Sequence, residues 1–366
     1  MAAATARADW YTNTANQTNV WLYRQMITVN HASVSGTQTD FPILVKITGS
    51  SNPLFSKAQS TGNDILFTQA DGSTKITHEV EYYSSSAATL CAWVRMPSVS
   101  SAADTVAYMY YGCANAAAQG TSDGTWDSNF IMVHHLKETS GHHLDSTANF
   151  NDSTFESLAA QGTQVGTIDG ADTFNGTSNY VTTTTTSATI SAGSICILAD
   201  GTATNAKTYM SGCYTGSFIN RIYLLNDTGS FEAIFSGTTV NTGFNIPLNT
   251  WHYYALTWSS TTAYIVYVDG VAKASGTAAT ALTAMATSNK LGIYPDLTGK
   301  WWTGKIDEFR WSNVQRSASW LLTEWNTMSS PATFITLSTE EPRPSVTLIG
   351  QNDNDLRRWA EYIRGE

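Results

Sequence analysis

The chain has 366 residues, enough for two or three domains with cores of their own. Only 13% of residues are charged while 11% are aromatic, with 12 Trp and 17 Tyr, which describes a β-rich surface protein rather than a helical cytosolic enzyme. A net charge of −10 argues against nucleic-acid or anionic-membrane partners, and no run of about 18 apolar residues could be inserted across a bilayer.

Residues 1–19 form a polar N-terminal extension without the apolar stretch of a secretory signal. Either the chain has been shortened at its start, or it does not use general secretion. The second reading fits a phage virion protein, because virions assemble inside the cell.

A first unit, 20–122, carries six short stretches of strand pattern at 21–29, 40–47, 64–68, 78–83, 90–96 and 105–111. Turn residues such as Asp71-Gly72 separate them, so the unit reads as an antiparallel sandwich. A second unit, 123–332, begins at Gly124-Thr125-Trp126-Asp127 and runs through a Ser/Thr-rich β pattern to 251–258, 264–271 and 299–311. Residues 318–325 read as a helix with Leu321, Leu322 and Trp325 on one face, closing that sandwich. The last segment, 333–366, opens with the linker signal Glu340-Glu341-Pro342-Arg343-Pro344. Beyond it Leu356, Trp359, Tyr362 and Ile363 form an apolar stripe on a helix too short to stand alone. That stripe requires docking on its own chain, on a second copy in a homo-oligomer, or on another subunit, and we read the segment as an attachment element.

Two sets of motifs carry family resemblances. Trp21-x-Tyr23-Arg24, Asp40-Phe41-Pro42, His78-Glu79-Val80-Glu81, Trp93-Val94-Arg95-Met96-Pro97 and Tyr108-x-Tyr110-Tyr111-Gly112 resemble an uncharacterised β-domain family whose members commonly precede laminin-G-like jelly rolls. Leu144-Asp145-Ser146, Thr173-Phe174-Asn175-Gly176 and Gly304-Lys305-Ile306-Asp307-Glu308-Phe309-Arg310-Trp311 resemble the jelly roll itself. The resemblance implies an all-β chain of two antiparallel β-sandwich domains, the second a concanavalin A-like, laminin-G-like jelly roll. Such modules are mostly glycan-binding or adhesive, and some are enzymes.

The residues offer little catalytic chemistry. Glu79 and Glu81 share a strand face, which alternation makes a solvent face, and Asp307 and Glu308 are adjacent and so point to opposite faces. His134 and His135 also alternate, one of them suiting a core or junction position, while His142 and His143 suit a solvated loop. No Gly-x-Ser-x-Gly nucleophile motif occurs. By resemblance, a structural calcium is expected on Asp145, Asn149, Asn151 and Asp307, with simple Asx turns the competing use of the first two. For ligand binding, parity along 301–306 makes Trp302 a core residue and Trp301 an exposed one, able to stack on a sugar, with Tyr294 and Asp296 supplying hydrogen bonds. Cys91 with Cys113, and Cys196 with Cys213, fit either cross-strand disulfides or free buried thiols.

These readings converge on a non-enzymatic protein of the virion surface, such as a head decoration, fibre or tail appendage, that binds a host or environmental glycan. The alternatives are a secreted or cell-surface adhesin and a polysaccharide-degrading enzyme of concanavalin A-like fold.

Overall fold

A computed structural model describes residues 10–13, 19–163, 166–185, 190–203, 206–285 and 288–344. The segment expected to attach the protein, from 345 onward, lies outside the described residues. The described residues fold mainly as antiparallel strands, and the longest helix among them, Ala318–Ser329, has 12 residues.

Four sheets stack as two sandwiches. The first unit faces a six-stranded sheet, ordered 335–337, 23–29, 105–111, 66–69, 75–76 with 341–342 beside 23–29, against a three-stranded sheet ordered 38–48, 89–99, 78–84. The jelly roll pairs an inner seven-stranded sheet, 172–175, 303–312, 193–201, 251–258, 263–268, 271–277 with 130–134 beside 303–312, with an outer one. The outer sheet runs 238–245, 230–235, 221–227, 208–214, 288–291, 180–184, 153–157.

The inner sheet belongs to two cores at once. Along Gly193–Gly201 every residue is buried. Ile195, Ile197 and Ala199 enter the jelly-roll core with Tyr254, Leu256 and Trp311, whereas Cys196 and Leu198 join Tyr253, Ala255 and Tyr267 in the core of the first unit. Alternation sends successive side chains to opposite faces, so a strand buried at every position is a strand covered on both sides.

Two expectations about the chain's later part are corrected. Helix Ala318–Ser329 does not simply close the jelly roll: its Trp320 ring packs 4.6 Å from Phe41, and Thr327 Oγ1 accepts from Leu44 N at 3.0 Å. Buried Trp320, Leu321 and Met328 join the core of the first unit, while Leu322 lies over Gly270 of the jelly roll. The helix is therefore a rivet between the units. The stretch 335–342 is likewise no free linker. Ile335–Leu337 and Glu341–Pro342 pair antiparallel with Tyr23–Val29, and Arg24 Nε donates to Glu341 at 2.7 Å. Proline is tolerated there because this strand forms the sheet edge.

All four cysteines are free and buried, and Cys91 Sγ donates to the Ile168 carbonyl at 3.3 Å.

Candidate functional site

The outer sheet has one face in the jelly-roll core and one face turned outward. Ile222, Leu224, Phe231 and Ala233 point inward, so alternation turns Tyr223, Leu225 and Ile234 outward, where they gather with Tyr209. Half-buried Tyr214 and Tyr294 lie on this second cluster, the Tyr294 ring 4.9 Å from Tyr209 and 5.5 Å from Tyr223.

The adjoining segment places Trp301 on the same face. Leu297, Gly299 and Lys300 all adopt positive φ, at 63°, 107° and 60°. Such a conformation costs about 1 kcal/mol or more at a non-glycine residue, and strain of this kind marks places where a loop is held for a purpose. The loop then delivers Trp301 into a bridge with Tyr209, and its ring lies 5.9 Å from Tyr180, which stacks on exposed Phe155 at 4.6 Å. Trp302 is turned the other way and is 1% exposed. Trp301 and Tyr294 thus share one aromatic face. Asp296 sits exposed in the loop before them, where its Oδ1 accepts from Thr298 N at 2.9 Å and from the Thr298 hydroxyl, forming an Asx turn.

A second constellation lies where the three-stranded sheet meets the inner sheet. Glu79 and Glu81 are buried, not solvated, because the jelly roll covers their strand. Trp126 Nε1 donates to Glu79 Oε2 at 3.0 Å, Trp93 Nε1 to Glu81 Oε2 at 2.5 Å, and Ser146 Oγ to Glu79 Oε1 at 2.8 Å. His135 sits between the units, its Nδ1 2.7 Å from Glu308 Oε1 and 3.4 Å from Glu81 Oε2, its Nε2 3.4 Å from Glu79 Oε2. Arg310 reaches Glu308 at 2.6 Å and Glu324 at 2.5 Å, and its guanidinium lies 4.4 Å from the Trp93 ring. Lys137 Nζ donates to the Glu81 carbonyl at 2.9 Å.

The expectation that Asp307 and Glu308 face opposite ways is corrected by a bulge. Pairing to Gly193–Gly201 shifts between Cys196 and Leu198, and Glu308 adopts φ 50°. Ile306, Phe309 and Trp311 all enter the jelly-roll core, so the bulge turns Asp307, Glu308 and Arg310 together toward the junction. The charges there are strongly coupled. Burial lowers the His135 imidazolium, but Glu308, Glu81 and Glu79 together hold it well above the ordinary histidine range. Burial, reinforced by Asp169 and Glu308, pushes the Glu81 carboxyl well up against the pull of His135. Burial likewise raises Glu79, yet His135, Lys137 and Trp126 bring it down to about 2. Among the described residues Glu81, His135 and Glu308 are the set whose donor atoms, within 4.8 Å of one another, would admit a metal ion. Arg310 and Lys137 already bring cations to that place. The spacings Glu79-x-Glu81 and Glu308-x-Arg310 were the available signal, but nothing local revealed their common partner.

Of the residues expected to hold calcium, Asp145, Asn149 and Asn151 share one loop while Asp307 lies apart. Asp145 Oδ1 accepts from Val133 N at 2.9 Å and Thr147 N at 3.0 Å, and Oδ2 from Thr147 Oγ1 at 2.7 Å and Asn151 N at 2.9 Å. Asn149 and Asn151 turn their amide nitrogens to the Ile131 carbonyl, at 3.1 and 2.7 Å. Asp307 accepts from Thr167 N at 3.0 Å, in the junction cluster rather than in this loop. Asp145 is a turn-former whose lone pairs the chain itself occupies.

Of the histidines, His134 is buried with Nε2 2.9 Å from the Asn151 carbonyl, and His142 is exposed beside Glu156. His143 is not solvated as expected: it is buried between Glu138 at 2.9 Å and Asp172 at 2.8 Å. Burial opposes its proton, but Asp172 and Glu138 raise its pKa to about 9.

Residues 174–321 match the family described as the concanavalin A-like lectin/glucanases superfamily, and residues 61–152 match a domain of unknown function, DUF2341. No curated protein matches the chain. Among solved structures, the receptor-binding domain of botulinum neurotoxin C/D mosaic serotype aligns at 13% identity and TM-score 0.43, covering 54% of this chain and 51% of that one. Domain 4 of a GH43 extracellular arabinanase from Geobacillus stearothermophilus, in complex with arabinotriose, aligns at 20% identity and TM-score 0.43, covering 53% of this chain and 97% of that one. The chain spans about half the length of the toxin domains with which it aligns. The chain thus carries, in order, a stretch that matches DUF2341, residues 61–152, and a β-sandwich stretch that matches the concanavalin A-like superfamily, residues 174–321.

Proposed function

We propose that this is a non-enzymatic surface protein whose jelly roll binds glycans on the outward face of its outer sheet. The observation that carries the reading is the aromatic row Phe155, Tyr180, Trp301 and Tyr294 on one open sheet face. Aromatic faces stack on the apolar face of a sugar ring, and a surface row of them has no use in the core beneath. The membership of residues 174–321 in a superfamily of lectins and glucanases supports it.

The non-enzymatic part rests on the acids. The carboxylates that the fold brings together, Glu79, Glu81 and Glu308, are buried at the junction and held by Trp, His and Arg partners. A cleft of about 450 Å³ beside them is lined by Asp169 and Lys137, but by none of those three. On the aromatic face, Asp296 closes a turn and Asp227 pairs with Lys207 at 2.6 Å.

Trp301→Ala tests the binding reading. Affinity electrophoresis on a polysaccharide panel should show retention lost by about tenfold or more, with the melting temperature little changed, since half-buried surface residues contribute little to stability. Retention unaffected by Trp301→Ala and Tyr180→Ala together would overturn it, and turnover of any panel member would revive the enzymatic alternative. For location we favour the phage virion surface over a secreted or cell-surface adhesin, on the β-rich, charge-poor composition. Mass spectrometry of purified particles against the cell-envelope fraction decides between them.

A further inference from the structure

We infer that the glycan taken by the aromatic face is an acidic oligosaccharide, an inference that rests on the glycan-binding reading and narrows its ligand. The carrying observation is the placement of cations among the rings. Lys300 Nζ lies 4.6 Å from the Tyr294 centroid, Lys290 Nζ 5.9 Å from the Tyr180 centroid, and the Arg221 guanidinium 5.8 Å from Tyr223.

None of the three forms an ion pair with a carboxylate among the described residues. Lys290 donates only to the Thr182 hydroxyl, at 2.7 Å, and Arg221 Nε is buried without a hydrogen-bond partner. Several cations elsewhere are paired, Arg24 with Glu341, Lys57 with Glu340, Arg310 with Glu308 and Arg316 with Asp127. In a protein with 29 acidic and 19 basic residues, three unpaired cations on one sheet face are the reverse of the overall charge. A guanidinium held half-buried with an unused N–H, and an ammonium lowered in pKa by burial, both gain from a ligand anion.

The geometry also sets the ligand's size. Arg221 stands on the strand 221–227, Lys290 on 288–291 and Tyr180 on 180–184, three strand steps apart in the order of the outer sheet. At about 4.8 Å per step, the row from Arg221 to Tyr180 extends about 14 Å, the reach of an oligosaccharide rather than a single sugar. The half-buried rings of Tyr180, Trp301 and Tyr294 would take sugar faces while the neighbouring cations take carboxylates or sulfates on those sugars, with Tyr223, 0% exposed, backing the Arg221 guanidinium from below.

The test uses the full chain on an array in which every acidic glycan stands beside its neutralised counterpart, carboxyl-reduced for uronic-type sugars and desulfated for sulfated ones. We expect binding to acidic members only. Carboxyl reduction or desulfation should remove it, according to which anion the site reads. Affinity for the best member should fall steeply with salt, and Lys290→Gln with Lys300→Gln should weaken it by about tenfold, because exposed pairs are individually modest. Binding that survives neutralisation, or that the double lysine variant leaves unchanged, overturns the acidic specificity and leaves the glycan reading standing. Absence of binding to every member, acidic and neutral, overturns both.

Discussion

His135 Nδ1 lies 2.7 Å from Glu308 Oε1, although the histidine leaves the strand Phe130–His134 and the glutamate sits at a bulge on the neighbouring one. The contact extends to Glu79 and Glu81 of the first domain, so a single imidazole joins carboxylates from both units. The two domains are therefore held together by charge as well as by apolar packing.

Removing one member of this network should be costly. Arg310→Met leaves Glu324 buried without its cation and Glu308 with His135 alone, and loss of one partner from a buried ion pair destabilises by about 3–5 kcal/mol. Lys207→Met, which breaks a partly exposed pair with Asp227, should cost under about 1 kcal/mol. Urea denaturation of both variants gives the comparison, and equal losses would show that the junction network does not stabilise the fold.

Stability should fall on both sides of near-neutral pH. The buried His78 ring nitrogens lie 3.0 and 3.1 Å from the Ile76 and Ile65 carbonyls, and burial lowers its pKa to about 4 from an unfolded value of 6.5. The unfolded chain thus takes up the proton first, so stability is whole above pH about 6.5 and drops as pH falls toward 4. His143 behaves oppositely: raised to about 9, it contributes fully below 6.5 and loses that contribution as pH rises through 9. Each of these two histidines should contribute about 3 kcal/mol at most. Chemical denaturation across this range should show a dome, and His143→Gln should lessen the fall on its alkaline side and leave the acid side unchanged.

The jelly roll should not be separable. Residues 123–332 expressed alone would lose the first-domain half of the cluster that Cys196, Leu198, Tyr253, Ala255 and Tyr267 share with Phe41, Leu44 and Trp93. We expect that fragment to bind a hydrophobic dye and to aggregate, while the whole chain melts calorimetrically in one transition. A soluble fragment with a cooperative melt of its own would count against the shared core.

Calcium should leave the melting temperature unchanged. The Asp145 carboxylate already accepts four hydrogen bonds from the chain, which leaves no lone pair directed outward for an ion. Asp145→Ala should instead destabilise by about 2–3 kcal/mol with or without calcium, since buried backbone donors lose a charged acceptor. A rise in melting temperature on adding calcium, absent in that variant, would restore the metal site.

Strands were legible where one residue's face fixes the next. The stretch 105–111 is a strand with those same bounds, and parity along 301–306 separated buried Trp302 from half-buried Trp301. Parity failed at Glu308, where a register shift inserts an extra residue and brings Asp307 and Glu308, expected apart, onto one side; Glu79 and Glu81 do share a face, but a buried one. A bulge depends on what the partner strand offers, so no local pattern announces it. Ile335–Leu337 was too short to read as a strand, and its pairing to Tyr23–Val29 joins residues more than 300 positions apart.

That pairing also decides how the molecule carries tension. Tyr23 stands opposite Pro342, and Val29 opposite Ile335, so the chain enters and leaves this strand pair at the same end. A force drawn between the segments before Tyr23 and after Pro342 would peel the two strands apart one rung at a time, the weak direction for a ladder of hydrogen bonds. The jelly roll, threaded between them, lies off the line of load. Under pull the edge of the first domain would yield early, like a fuse, while the aromatic face stayed whole.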